Sequence, residues 1–186
     1  MMKSKFSLNT LCVGLLTTLP CVLLGCTSDT TTSMENASTT SVSDIDGAPF
    51  LLAAEPEAAQ NVIQAREVAG DGDEVVVVGR IGGSANPWID GRAAFSIVDG
   101  SLKACTDIPG DNCPKPWDYC CETSKLPGAT ALVKVVDKNG DIVKADAKTL
   151  LNVKELSTVV VQGKAQRDEA GNLTVLATGV FVKEQG

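Results

Sequence analysis

The sequence predicts a small, mainly β domain of five strands, preceded by a helix and carrying a disulfide-rich loop insertion. Three observations point there. Runs rich in β-branched residues recur at 75–81, 93–98, 131–136, 159–166 and 173–183. Only residues 55–69 read as a helix of ordinary length, and four cysteines fall together in one proline-broken stretch, residues 101–127. The 186 residues allow one ordinary domain plus extra segments and rule out a multi-domain enzyme. The chain has no histidine, which removes Ser-His-Asp and Cys-His pairs and any imidazole metal ligand. Its formal charge of −7 argues against a general nucleic-acid binder.

At the N-terminus, Lys3 and Lys5 precede an apolar run from Phe6 to Leu24, interrupted by short polar residues and Pro20. That is the layout of a secretory signal, and it is too interrupted for a good membrane span. The run ends Leu23-Leu24-Gly25-Cys26, which resembles the bacterial lipobox. The resemblance implies that residues 1–25 are a lipoprotein signal peptide and that Cys26 becomes the first mature residue and carries the lipid. Several acyl chains on one cysteine suffice for stable anchoring, so the membrane is the expected partner of Cys26 and no transmembrane helix is required. The expected location is the cell envelope: the periplasmic or outer-membrane face, or the cell surface.

Residues 26–54 are rich in Ser and Thr, and no Lys or Arg occurs from Thr27 to Ala65. Such a segment buries too little apolar surface to offset its ordering entropy, so a disordered acidic tether is expected. Loss of residues 1–25 leaves 14 basic and 23 acidic residues, a charge of −9. Six of those acids lie between residues 27 and 60, so the remaining domain stands near −3.

Residues 55–70 form the helix candidate: Pro56 suits a first turn, Ala58 and Ala59 favour helix, Val62 and Ile63 share a side, and Gly70 is a stop. From residue 71 the chemistry turns to β. The four-valine run at 75–78 ends Gly79-Arg80-Ile81, and residues 93–98 alternate around Phe95 and Ile97. The last two runs are joined by Asp168-Glu169-Ala170-Gly171-Asn172, whose turn residues predict a hairpin. Between the third and fourth runs, Leu150, Leu151 and Val153 suit a short helix or turn plugging the end of a barrel.

The order Val-Val-Gly-Arg-Ile, Ala-Phe-Ser-Ile-Val-Asp and the hairpin of Val-Val-Val-Gln-Gly-Lys-Ala with Leu-Thr-Val-Leu-Ala-Thr-Gly-Val resembles an OB-fold over about residues 72–184. The resemblance implies an OB-like five-stranded barrel over residues 71–186, with Gly79 and Gly163 where strands bend sharply. OB-folds bind oligonucleotides and oligosaccharides on the face of their second and third strands, which makes such binding the weaker alternative here. Single-strand binding needs exposed aromatic platforms and a basic groove. With Phe95 and Phe181 in strand patterns, only Trp88, Trp117 and Tyr119 remain as candidate contacts, and Arg92 and Lys134 make no basic stripe. A nucleic-acid partner is therefore not expected.

The loop at 101–127 contains Cys105, Cys113, Cys120 and Cys121, with Pro109, Pro114, Pro116 and Pro127 opposing a regular helix. Four cysteines in an exported chain imply two disulfides. A bond between Cys120 and Cys121 would close a strained ring, which leaves Cys105 with one of that pair and Cys113 with the other. A thiolate metal site for zinc or copper(I) is the alternative, although Cys-x2-Cys knuckles are missing, and a redox pair is a third reading. A stapled loop would either present Trp117, Asp118 and Tyr119 to an envelope protein partner or clamp Trp117 on the barrel.

Asp137-Lys138-Asn139-Gly140-Asp141 imitates the start of a calcium loop, but Gly140 is in the wrong place and Lys148 stands where a bidentate Glu is required. A turn with Asn139-Gly140 at its tip is expected instead. Asp107, Asp111, Asp118 and Glu122 crowd the cysteine loop and read as solvated carboxylates. No cleft with aromatic platforms accompanies the acidic residues. The expectation is a lipid-anchored envelope binding or assembly module with no catalytic activity and no cofactor, the alternative being a thiolate metal-binding or redox protein of the envelope.

Overall fold

A computed structural model describes residues 45–186. The expected signal peptide (1–25), the lipidation at Cys26 and the tether as far as residue 44 lie outside the described residues. Among the described residues no helix is long and apolar enough to cross a membrane.

Five strands make the barrel: β2 (Glu74–Ile81), β3 (Ala94–Val98), β4 (Thr130–Val135), β5 (Thr158–Arg167) and β6 (Leu173–Glu184), with a two-residue β1 (Gln60–Asn61) outside it. The order is β2-β3-β4-β6-β5, and β2 pairs again with β5 to close the cylinder. β4 and β6 run parallel, Leu132 opposite Thr174, while the other barrel pairs are antiparallel. This closure is that of an OB-fold, so the five-stranded expectation holds and closure leaves no barrel edge unpaired. Alternation decides which residues face inward: Val75, Val77 and Ile81 of β2, Phe95 and Ile97 of β3, and Val133 and Val135 of β4 are buried in one apolar core.

Gly163 sits at a register shift in the β5–β6 ladder, and a Cβ there would strike the Leu176 carbonyl. The missing side chain lets the two backbones close at the bulge, which tightens the coil of the strand. At Gly79 a Cβ would lie 3.1 Å from Ile97 and from Val62, so the second bend is also a close approach. The short helix α2 (Ala147–Leu151) puts Ala147, Leu150 and Leu151 into the core, which makes it the plug foreseen between β4 and β5. The hairpin at 168–172 forms as expected, with Asp168 Oδ1 accepting the Asn172 N–H at 2.8 Å. In the turn at 137–141, Asp137 Oδ1 accepts the N–H groups of Asn139 (2.8 Å) and Asp141 (3.0 Å).

The helix expected over 55–70 is shorter and starts later. Only α1 (Val62–Val68) is helical, and Gln60 and Asn61 instead pair in parallel with Val77 and Val78. Ala58 lies at φ 58°, a left-handed conformation that breaks any helix begun at Pro56. Asn61 then caps α1, its Oδ1 accepting the Gln64 N–H at 2.8 Å. At the other end Arg167 donates to the carbonyls of Ala65, Arg66 and Ala69, placing a cation on the negative end of the helix.

The tether boundary at residue 54 also moves. Ala48–Phe50 form a 3-10 turn, Leu51 bridges to Val180, and the Leu52 N–H donates to the Val180 carbonyl at 2.9 Å. Phe50 packs on the core, which gives this segment the apolar anchor that the Ser/Thr-rich part lacks.

Candidate functional site

The connection between β3 and β4, residues 99–129, folds back against the outside of the barrel. It starts at Asp99, which is 2% exposed. Its Oδ2 accepts the Ile63 N–H at 2.9 Å and its Oδ1 the Ser101 N–H at 3.0 Å. Burial works against the charged form of Asp99, but these backbone donors outweigh it and hold the carboxyl below the usual range. One carboxylate thus ties the first turn of α1 to the end of β3.

Beyond Asp99 the loop builds a second apolar cluster of Val98, Leu102, Ala104, Tyr119 and Ala129. Tyr119 is fully buried, and its ring lies where a Cβ on residue 82 would come within 2.6 Å, so Gly82 makes room for it. Burial raises the Tyr119 phenol above its ordinary pKa. Trp117 donates its indole N–H to the Ala85 carbonyl at 3.2 Å. Asp107 closes the loop from the other side: Oδ2 meets the Arg80 guanidinium at 2.5 Å and accepts the Ala104 N–H at 3.0 Å. Burial opposes its charge, yet the Arg80 bond prevails and lowers its pKa.

Two stretches of loop backbone lie side by side, the Cys105 N–H donating to the Asp118 carbonyl and the Thr106 N–H to the Pro116 carbonyl, each at 2.8 Å. That pairing brings Cys105 to Cys120, with 3.3 Å between the sulfurs. Cys113 joins them, so that all three Sγ atoms lie within 4.8 Å of one another. Cys121 reaches only its neighbour Cys120, at 3.9 Å. The expected arrangement of two bridges is not what is found: all four thiols are free, and three converge where two separate pairs were anticipated. The cause is local, since Cys105 and Cys113 approach the same sulfur and not one each of the adjacent pair. Cys105 is buried, Cys113 half-buried, and Cys120 and Cys121 exposed. Burial, reinforced by contact with Cys120, pushes the Cys105 thiol up to about 12. A cleft of about 290 Å³ lined by Cys105, Cys113, Ile108 and Pro116 opens beside the sulfurs.

The expected partner contacts fare differently. Tyr119 has no exposed surface, which corrects its place among presented residues. Trp117 is half-buried, its indole N–H held by the Ala85 carbonyl of the connection between β2 and β3. Asp118 is half-buried, and its Oδ1 accepts the Tyr119 N–H at 2.7 Å. Trp88 packs at the end of the barrel, its ring 5.8 Å from that of Phe95 and its indole N–H 2.7 Å from Glu155 Oε1, with Lys148 Nζ 4.9 Å over its face. Burial disfavours the Glu155 charge, but the bonds from Lys148 and Trp88 outweigh it and lower its pKa. Sequence reasoning missed the roles of Arg80 and Gly82 and read Asp107 as a solvated carboxylate, where it pairs with Arg80; the partners of Arg80 and Gly82 lie 27 and 37 residues away along the chain.

The outer face of β3 is consequently occupied by the chain itself. Ala94 and Val98 are buried there and the Ser96 hydroxyl donates to the Gly82 carbonyl, while along the strand edge the Ser96 N–H donates to the Pro87 carbonyl. This is half of the surface that OB-folds use for oligonucleotides and sugars.

No family model matches the chain. No curated protein matches it either. Among solved structures it is similar to two OBodies, each bound to hen egg-white lysozyme. These are 13% and 16% identical, cover 73% and 72% of this chain and all of theirs, and give TM-scores of 0.39 and 0.40. The mitochondrial single-stranded DNA-binding protein Rim1 of S. cerevisiae is 14% identical, with a TM-score of 0.34, over 63% of this chain and all of its own.

Proposed function

We propose that this chain is a lipid-anchored, non-catalytic binding and assembly module of the cell envelope, attached through Cys26 and meeting its partner with the loop at 99–129 and not with a bare barrel face. The observation that carries this reading is the covered outer face of β3, where Ala94 and Val98 are buried. An oligonucleotide would have to displace Tyr119, which packs with Val98, to stack there, and a domain charge near −3 offers little counterion release in return. The sequence Leu23-Leu24-Gly25-Cys26 supports anchoring, and the acidic, Ser/Thr-rich segment after it supports a spacer between membrane and domain.

Two measurements test it. In cells, Cys26→Ala should release the protein from membranes and abolish fatty-acid labelling, whereas unchanged retention without detergent would end the lipoprotein reading. With purified protein, a labelled single-stranded oligonucleotide at physiological salt should show no submicromolar binding by fluorescence anisotropy. Binding that tight would restore the usual OB role.

A further inference from the structure

We propose that Cys105, Cys113 and Cys120 bind one thiophilic d10 metal ion, copper(I) or zinc(II), as thiolates. The site goes beyond the binding-module reading and stands independently of membrane anchoring. Its basis is convergence: three sulfurs from three parts of one loop lie within 4.8 Å of one another, the nearest two at 3.3 Å. A tetrahedral site with Zn–S bonds of about 2.3 Å sets its sulfurs about 3.8 Å apart, so small side-chain rotations close the set on one ion. The scaffold is already built. The pairing of Cys105 with Asp118 and of Thr106 with Pro116 fixes two ligand segments, and Asp111 Oδ1 holds the Cys113 N–H at 2.5 Å. Cys105 is 1% exposed while Cys120 is open to solvent, which gives the ion a floor and an entrance.

The donor set selects the class of metal. Sulfur without imidazole favours soft ions over magnesium, calcium or manganese, which take oxygen ligands. Binding displaces one thiol proton to solvent for each metal–sulfur bond formed, three for copper(I) and four where zinc takes Cys121 as well, and changes no oxidation state. The two ions differ in what they ask of Cys121, 3.9 Å from Cys120. Copper(I) is satisfied by the three convergent sulfurs. Zinc in a closed site takes four ligands and recruits Cys121 as the fourth.

The test uses the full chain, reduced and kept anaerobic, with copper(I) or zinc(II) added against a coloured chelator. One equivalent should bind, and Cys113→Ser should weaken binding at least tenfold. Cys113 belongs to neither apolar cluster, so this variant should keep the wild-type circular dichroism. Cys121→Ser should leave copper(I) binding intact and weaken zinc binding. Failure of the reduced protein to take either ion from the chelator would overturn the proposal, as would Cys113→Ser binding both ions like wild type. A protein isolated about four hydrogens light that takes up neither ion after reduction would establish two structural bridges in its place.

Discussion

The barrel and the loop it carries are stabilised in opposite ways. Each barrel strand is hydrogen-bonded on both sides, and the interior is a continuous body of Val, Ile, Leu, Ala and Phe. The loop at 99–129 has a cluster of four buried residues packed on Val98 of β3 and a few single links: the Asp99 carboxylate, the Arg80–Asp107 pair, the Tyr119 ring over Gly82 and the Trp117 indole on Ala85. Damage to the barrel is shared among many equivalent contacts and ends in unfolding of the whole domain. Damage to the loop removes a specific link and leaves the cylinder closed.

Three substitutions break or sharpen that contrast. The largest effect is expected for Phe95→Ala, which empties a fully buried position in the barrel core. It should cost about 3–5 kcal/mol in urea unfolding, with barrel and loop lost in one transition. Asp99→Asn comes next, at about 1–3 kcal/mol, because a charged acceptor of two backbone N–H groups is replaced at the junction of loop and helix. The lowered pKa of Asp99 gives this link a pH signature. Its stabilisation is fully present above the ordinary carboxylate value of about 4 and is lost as pH falls through the folded value. Stability measured from neutral to acid pH should therefore fall less steeply in Asp99→Asn than in wild type. The smallest effect carries the opposite sign. The Tyr119 hydroxyl is buried without a hydrogen-bond partner, so Tyr119→Phe should stabilise the domain by up to about 1 kcal/mol. A loss of stability in that variant would mean that the hydroxyl makes a bond of its own.

Those links mark where the sequence stops being informative. The strands were legible because alternation is local: in β2 the inward Val75, Val77 and Ile81 can be read from their own neighbours. The plug and the 168–172 hairpin were legible for the same reason. The helix was misplaced because Ala58 and Ala59 have high helix propensity, whereas the left-handed turn at Ala58 and the Asp99 cap on Ile63 depend on contacts made elsewhere. The cysteines announced themselves, but their grouping did not. Four cysteines in an exported chain suggested two pairs, and only the backbone pairing of residues 105–106 with 116–118 draws three sulfurs to one point. Tyr119 looked like an exposed loop aromatic because the glycine that makes room for it stands 37 residues earlier.

The segment pinned on β6 has a mechanical meaning. Leu52 donates its N–H to Val180 and packs its side chain at Gly179, and Phe50 rests on the core just before it. A pull on the domain from its N-terminal side meets this short pairing with Val180, two apolar side chains and the Glu55–Lys183 ion pair before the barrel ladders, loaded one after another as in peeling. The antiparallel ladder between β2 and β5, from Glu74 opposite Lys164 to Arg80 opposite Thr158, lies behind it and takes no load until that segment has come away. Tension is thus absorbed by a sacrificial strip whose release leaves the cylinder shut.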